Sequence, residues 1–374
     1  MATRRPAEVF PAGEILRDEL EERGWTQTDL AEILGRSVGM VNEIISGKRG
    51  ISPESARGLA AALGTTAEFW MNLDAAYQLS RVRDDGDDAI AGRARLYAKA
   101  PIKEMVRRGW IEPSDNVAVL EGRVCRFLGV GSIDEEPDVP LHAARKSTPY
   151  DRPMTTAQRA WLFRARQLAR AVDARSYSAE GLEEAMRGLR LLVHVPQEVR
   201  HVPRILSDAG IRFVVVQPLT GSRIDGACFW LDGAPTIALA LRFDRIDNFW
   251  FVLMHELGHV REGEASLDIE LDVVGDDTGK PVIERNADAF ATENLIPQQQ
   301  LEGFIARVRP LYSARRIEAF AQIMGVHPAI VVGQLQHRGE IAYSSFRNLL
   351  VPVREWITMS TLTDGWGSTL PTQL

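Results

Sequence analysis

The pentad His255-Glu256-Leu257-Gly258-His259 constrains this chain more than any other stretch. In a helix of about 3.6 residues per turn, His255 and His259 project from one face, where two imidazoles can reach one Zn²⁺ at about 2.0–2.1 Å. Glu256 then lies beside the open coordination position. The preceding run Asn248-Phe249-Trp250-Phe251-Val252-Leu253-Met254 is almost wholly apolar, so this helix is expected to be buried. A buried histidine–glutamate cluster needs a charge partner such as a metal. A catalytic zinc site takes three protein ligands plus water, and downstream Glu284-Arg285-Asn286-Ala287-Asp288 offers carboxylates one helical turn apart. Glu284 is assigned as the third ligand. Asp288 is assigned as the acceptor for a ligand histidine N–H, a contact that fixes the tautomer. The result is a His₂Glu site with Glu256 as general base, and a metal-dependent hydrolase is the leading expectation.

Upstream, Ile211 to Val216 reads as a buried strand. Gly226 to Leu231, Asp232-Gly233 and Pro235 to Leu241 read as a hairpin with a favoured two-residue turn. Thr236-Ile237-Ala238-Leu239-Ala240 is either a strand that accepts an extended peptide by strand addition or an ordinary core strand. Past the acidic motif, Ile317 to Met324 and Ala329 to Leu335 describe two helices broken at Pro328. His327 and His337 are each read as a capping or surface group, or as a group that stabilises an oxyanion. Thr358 to Leu374 is polar and contains Thr and Gly, as a mobile tail would.

The run from Gly226-Ala227-Cys228-Phe229-Trp230 through the pentad to Glu284-Arg285-Asn286-Ala287-Asp288-Ala289-Phe290-Ala291 and Leu295-Ile296-Pro297 resembles the ImmA/IrrE family of zinc metallopeptidases. The resemblance implies a gluzincin-like domain with a small sheet and an HExxH helix, a Zn²⁺ cofactor, and cleavage of repressor proteins. Asn286 departs from the family pattern, in which a further acidic residue stands near the ligand glutamate.

The N-terminus carries a second pattern. Gly13 to Leu20 spaces apolar residues helically, Thr26-Gln27-Thr28-Asp29 reads as an N-cap with an acidic residue three on, and Gly35 ends the stripe of Leu30, Ile33 and Leu34. Ser37 caps a segment Val38 to Ile45, Gly47 closes it, and Ser52-Pro53 opens a helix through Leu63 before Gly64. Two short helices joined by a tight turn within a bundle describe a helix-turn-helix. Gly47-Lys48-Arg49-Gly50-Ile51-Ser52, with Phe69-Trp70-Met71-Asn72-Leu73 and Ala76-Tyr77 after it, resembles the HigA-type branch of the Xre DNA-binding family. That resemblance implies a repressor, often the antitoxin of a toxin–antitoxin pair, with Ser37 to Ile45 as recognition helix. Candidate contacts to double-stranded operator DNA are Gln27, Arg36, Ser37, Met40, Asn42, Lys48 and Arg49. Residues 1–80 hold eight Lys/Arg against twelve Asp/Glu, a balance of −4, which is not the basic footprint of a phosphate-binding module. Val38 and Gly39 stand where relatives carry polar base-readers. Sequence-specific affinity is therefore expected either to be modest or to depend on a homodimer that pairs two half-sites.

Between these patterns, Arg83-Asp84-Asp85-Gly86-Asp87-Asp88 and Ser132 to Asp138 read as solvated junctions, and Thr155 to Val172 as a packing helix with Arg159, Arg164, Arg166 and Arg170 on its solvated faces. The expected architecture is α+β and mostly helical: residues 1–82 an all-α helix-turn-helix bundle, 83–190 a helical connector, 191–345 the zinc peptidase domain, and 346–374 a C-terminal tail. A length of 374 residues with 45% hydrophobic content suits two or three domains. Cys125 and Cys228 sit in apolar contexts without a Cys-x-x-Cys partner and read as reduced core residues. No signal core and no run of eighteen apolar residues stands in the sequence, so a cytoplasmic protein without membrane contact is expected. Three functions compete: a DNA-binding regulator whose zinc endopeptidase cleaves itself or a partner repressor, a HigA-type antitoxin that binds a toxin and its operator with the zinc domain as sensor or scaffold, and a protease acting in trans. For the first, the junction Arg83 to Asp88 is a candidate cleavage site.

Overall fold

The computed structural model describes residues 10–81, 87–138, 154–269 and 280–368. The chain divides into two compact units, residues 1–91 and 92–374.

The first unit is all helical: α1 (Ala12–Arg23), α2 (Gln27–Leu34), α3 (Val38–Ile45), α4 (Pro53–Leu63) and α5 (Ala67–Arg81). Its helix ends fall where the capping residues put them. Thr26 and Asp29 form a reciprocal capping box at α2; the Thr26 backbone N–H and hydroxyl donate to Asp29 and hold its carboxyl below the usual range. Gly35 takes the left-handed conformation that ends α2, and the Ser37 hydroxyl accepts from Met40 N–H to start α3. One apolar face of each helix meets around Leu16, Leu30, Val41, Ile44, Leu59 and Trp70, all buried.

The second unit is built on a five-stranded mixed sheet of β1 (Arg212–Val216), β2 (Ile224–Leu231), β3 (Ala234–Leu239), β4 (Ser266–Ile269) and β5 (Leu362–Asp364), in the order β4-β2-β3-β1-β5. β2 and β3 form the expected hairpin; Asp232 and Gly233 both have positive φ, as this two-residue turn requires. β1 pairs in parallel with β3 and β5. Along β1 the side chains alternate between two cores, with Phe213 and Val215 to one side and Val214 and Val216 to the other. A sheet buried on both faces needs two covering layers.

One layer holds α10 (Ala179–Arg190), α11 (Val202–Asp208) and α12 (Ile246–Glu262), followed by α13 (Val282–Leu295), α14 (Gln298–Val308), α15 (Ala314–Met324) and α16 (Pro328–His337). The other is formed by α7 (Ile102–Arg107), α8 (Val117–Leu128) and α9 (Thr156–Arg170), with the end of α6 (Asp87–Lys99). Trp161 Nε1 on α9 donates to Val216 O on β1 at 2.9 Å.

Three expectations are corrected here. The span 83–190 does not hold as a separate connector: it crosses the boundary between the two units at residue 91, α7 to α9 bury one face of the sheet, and α10 packs in the core on the other. The tail does not begin at residue 346: Val353 and Ile357, the latter on α17 (Arg354–Thr358), sit in the core, and β5 is a paired strand. Arg164 is not on a solvated face. Its Nε and Nη2 donate to Asp364 Oδ2 at 2.8 and 2.6 Å, and Trp110 Nε1 donates to Asp364 Oδ1 at 2.9 Å, all buried. The candidate cleavage junction at Arg83 to Gly86 and the tail beyond Ser368 lie outside the described residues.

Candidate metal centre and helix-turn-helix face

α12 crosses the α-helical face of the sheet and is buried along almost its whole length, as its apolar run requires. His255, Glu256 and His259 are fully buried on it. α13 packs against α12 and brings Glu284 to the same point. His255 Nε2 lies 3.1 Å from His259 Nε2 and 3.2 Å from Glu284 Oε2; His259 Nε2 lies 3.7 Å from the same carboxylate oxygen. A tetrahedral ion with ligands at about 2.0–2.1 Å separates its donor atoms by about 3.3 Å, so these three atoms fit the corners of one zinc-sized position. They are the His/Cys/Asp/Glu group able to hold a metal among the described residues.

The second ring nitrogens are held as well. His255 Nδ1 lies 2.9 Å from Asp288 Oδ1, and His259 Nδ1 lies 3.2 Å from Glu264 Oε2. A proton on each Nδ1 donated to these carboxylates leaves both Nε2 lone pairs facing the common point. Burial would raise the Asp288 carboxyl, but the hydrogen bond with His255 and the charge of Lys280, which pairs with its other oxygen, outweigh this and hold it below its usual range. Glu264, Glu284 and Asp288 thus surround two imidazoles with Lys280 as the neighbouring cation, an excess of negative charge that a buried divalent cation offsets.

Glu256 has its place because β2 carries no side chain at residue 226. A Cβ on Gly226 would stand 2.2 Å from Glu256 Oε1 and 2.9 Å from Val252 Cγ1. Sequence reasoning missed Glu264 and Lys280. The signal for Glu264 was Gly263, whose left-handed cap turns the chain so that Glu264 N–H bonds back to His259 O at 2.9 Å and its side chain meets the histidine ring.

Two open alternatives are resolved. β3 is hydrogen-bonded on both sides, so Thr236 to Ala240 is a core strand and has no edge to offer a peptide; β4 is the edge beside β2 among the described residues. His327 caps α16, its Nδ1 accepting from Ala329 N–H at 3.2 Å, while His337 stacks near Phe251, whose ring lies 6.2 Å from that of His255.

In the first unit, the residues singled out for nucleic-acid contact cluster around α3. Asn42 Nδ2 donates to Gln27 Oε1 at 3.2 Å, joining α2 to α3. Ser37 caps α3 and Met40 packs on its core. Lys48 is exposed; Arg49 pairs with Glu43 at 3.0 Å and Arg36 pairs with Glu54, so two of the three cations already face a carboxylate.

Residues 16–70 match the helix-turn-helix family, and residues 207–324 match the family described as IrrE N-terminal-like domain. The antitoxin HigA-1 of Vibrio cholerae is 42% identical over 82 residues, 22% of this chain and 74% of that protein. Virulence-associated protein I of Dichelobacter nodosus is 38% identical over 74 residues, 20% of this chain and 68% of that protein. The chain belongs to the HigA-like helix-turn-helix family and carries an IrrE N-terminal-like domain fused to it. Among solved structures, the Pseudomonas aeruginosa antitoxin HigA with its higBA promoter is 38% identical over 22% of this chain and 91% of that chain, with a TM-score of 0.21. Within this HigA-like and IrrE-like fusion, the α3 cluster lies inside the first matched region, and His255, Glu256, His259, Glu264, Lys280, Glu284 and Asp288 lie inside the second. No helix among the described residues is long and apolar enough to cross a membrane.

Proposed function

We propose that this protein is a transcriptional regulator whose first unit binds double-stranded operator DNA as a homodimer and whose second is a zinc-dependent endopeptidase that cleaves the chain itself or a partner repressor, relieving repression. The observation that carries this reading is a buried carboxylate, Glu256, next in the chain to His255 on the helix whose two histidines converge with Glu284, since a site that only held a structural ion would have no use for a general base. His255, His259 and Glu284 hold the ion, and Asp288 and Glu264 fix the two histidine tautomers. Zinc, when bound, supplies Lewis acidity and a water that ionises near neutral pH.

With the ion bound, the Glu256 carboxylate would accept a proton from the attacking water and donate it to the leaving amine. The wall of β2 at Gly226 keeps that carboxylate desolvated and in place. In the first unit, Ser37 at the start of α3, Asn42 within it, Gln27 at the start of α2 and Lys48 after α3 present polar and cationic groups, and Arg36 and Arg49 exchange their carboxylate partners for phosphates on binding.

The test is to incubate the zinc-loaded full-length protein alone and with DNA from its own promoter, following chain mass and operator binding. We expect fragments and falling operator affinity for the wild type. For Glu256→Gln, cleavage should slow by about 10²–10⁴-fold while zinc stays bound. Unchanged cleavage by Glu256→Gln refutes the mechanism. A second reading is favoured by the HigA-like relatives: the chain is an antitoxin that binds a toxin and its operator, and the metal domain is a sensor or scaffold. Operator binding that persists through zinc loading, with no fragment from any partner, would select it.

A further inference from the structure

The peptide of Glu264 is held from two directions. Its N–H donates to His259 O at 2.9 Å, which ties it to the last turn of α12. Its carbonyl oxygen, with two lone pairs, accepts from Trp230 Nε1 at 3.3 Å and from the weaker Cys228 Sγ donor at 3.6 Å. Both donors stand on β2, two residues apart, and Gly226 stands two residues before Cys228. Alternate residues of a strand face one side of a sheet, so a single face of β2 leaves room for the Glu256 carboxylate and grips the peptide of Glu264. The pairing of β2 with β4, Cys228 opposite Ser266, brings the two segments together.

Trp230 is itself seated. Tyr177 meets its ring edge to face, with centroids 5.6 Å apart and planes at 85°. The backbone at Tyr177 passes against Gly210, where a Cβ would stand 2.4 Å from Tyr177 N. Both rings are partly exposed, so neither is there only to fill the core. A chain of contacts therefore runs from Tyr177 through the Trp230 indole and the Glu264 carbonyl to the Glu264 carboxylate, which lies 3.2 Å from His259 Nδ1.

We infer that Trp230 is a positioning residue for the metal centre: its indole N–H fixes the Glu264 peptide so that the Glu264 carboxylate keeps the His259 ring turned with Nε2 toward the ion. This rests on the metal assignment above and not on the peptidase step. Zinc affinity of the full-length protein, read by competition with a chromogenic chelator, tests it. Trp230→Phe keeps a ring against Tyr177 and removes the N–H. Its zinc affinity should fall about three- to tenfold, the range of one lost hydrogen bond, with the unfolding temperature of the zinc-free protein unchanged. In a Glu264→Ala background, which leaves no carboxylate to position, the same substitution should change zinc affinity less than about twofold. Should Trp230→Phe not fold, Tyr177→Leu, which unseats the indole from a partly exposed position, reads the same coupling in the same two backgrounds. Affinity equal to wild type overturns the inference, and so does a loss of equal size in the Glu264→Ala background, which would come from a general loosening of the fold. The expected pattern in a chain that cleaves no peptide supports the positioning role and counts against the peptidase reading alone. A wild type that takes up no zinc removes the metal assignment and this inference with it.

Discussion

At the scale of single residues, the candidate centre is an arrangement of carboxylates, each with a different task. Glu284 faces the ion position, Asp288 and Glu264 hold histidine rings, and Glu256 points at a strand that leaves room for it. Gly226→Ala should therefore displace the Glu256 carboxylate and cut hydrolysis at least tenfold with one zinc still bound; activity equal to wild type would show that the carboxylate does not depend on that space. Glu264→Gln should weaken zinc binding by about 10–100-fold, measured by competition with a chromogenic chelator. Asp288 was legible in the sequence because it sits one helical turn from Glu284. Glu264 was not, because its approach to His259 depends on α12 ending at Gly263 and reversing the chain. Lys280 was not legible because it acts through Asp288.

At the scale of elements, patterns with a local cause read correctly and patterns settled by the sheet did not. The capping box at Thr26, the left-handed Gly35, the Ser37 cap and the Asp232-Gly233 turn are each decided within a few residues. Thr26→Ala should destabilise the first unit by about 1 kcal/mol in denaturant unfolding. The sequence of β3 suits an edge or a centre equally, and only the arrival of β1 on its far side decides the matter. His327 illustrates an element-scale role that resembles chemistry in a sequence. Burial outweighs the charge of Asp247 and lowers its pKa below the ordinary 6.5, so it caps α16 as the neutral ring. The unfolded chain then binds a proton that the folded chain excludes, and this contribution to stability is full above about pH 6.5 and falls as pH drops through 6.5 toward the lower folded value. His327→Asn, which keeps a capping side chain, should flatten stability between pH 7 and 5; an unaltered slope would assign the titration elsewhere.

At the scale of the whole molecule, the second unit is a sheet covered on both faces, and of two segments that looked peripheral one covers a face and the other extends the sheet. α7 to α9 read as a connector because their own periodicity shows only that each has an apolar face, and says nothing of the sheet that face covers. β5 read as a tail because its three residues, Leu362 to Asp364, carry too little pattern to mark a strand. Arg164 and Asp364 join the two across 200 residues of chain, each no more than 2% exposed in its side chain. Asp364→Ala should destabilise this unit by about 3–5 kcal/mol, because it removes the carboxylate that neutralises a buried guanidinium. Everything proposed for that unit depends on the metal position at α12 and α13. Native mass spectrometry of the zinc-loaded wild type beside Glu284→Ala tests it most directly: one zinc per chain, weakened in the variant, is the predicted result, and a wild type that takes up no zinc, or a variant that holds it equally well, would contradict the assignment.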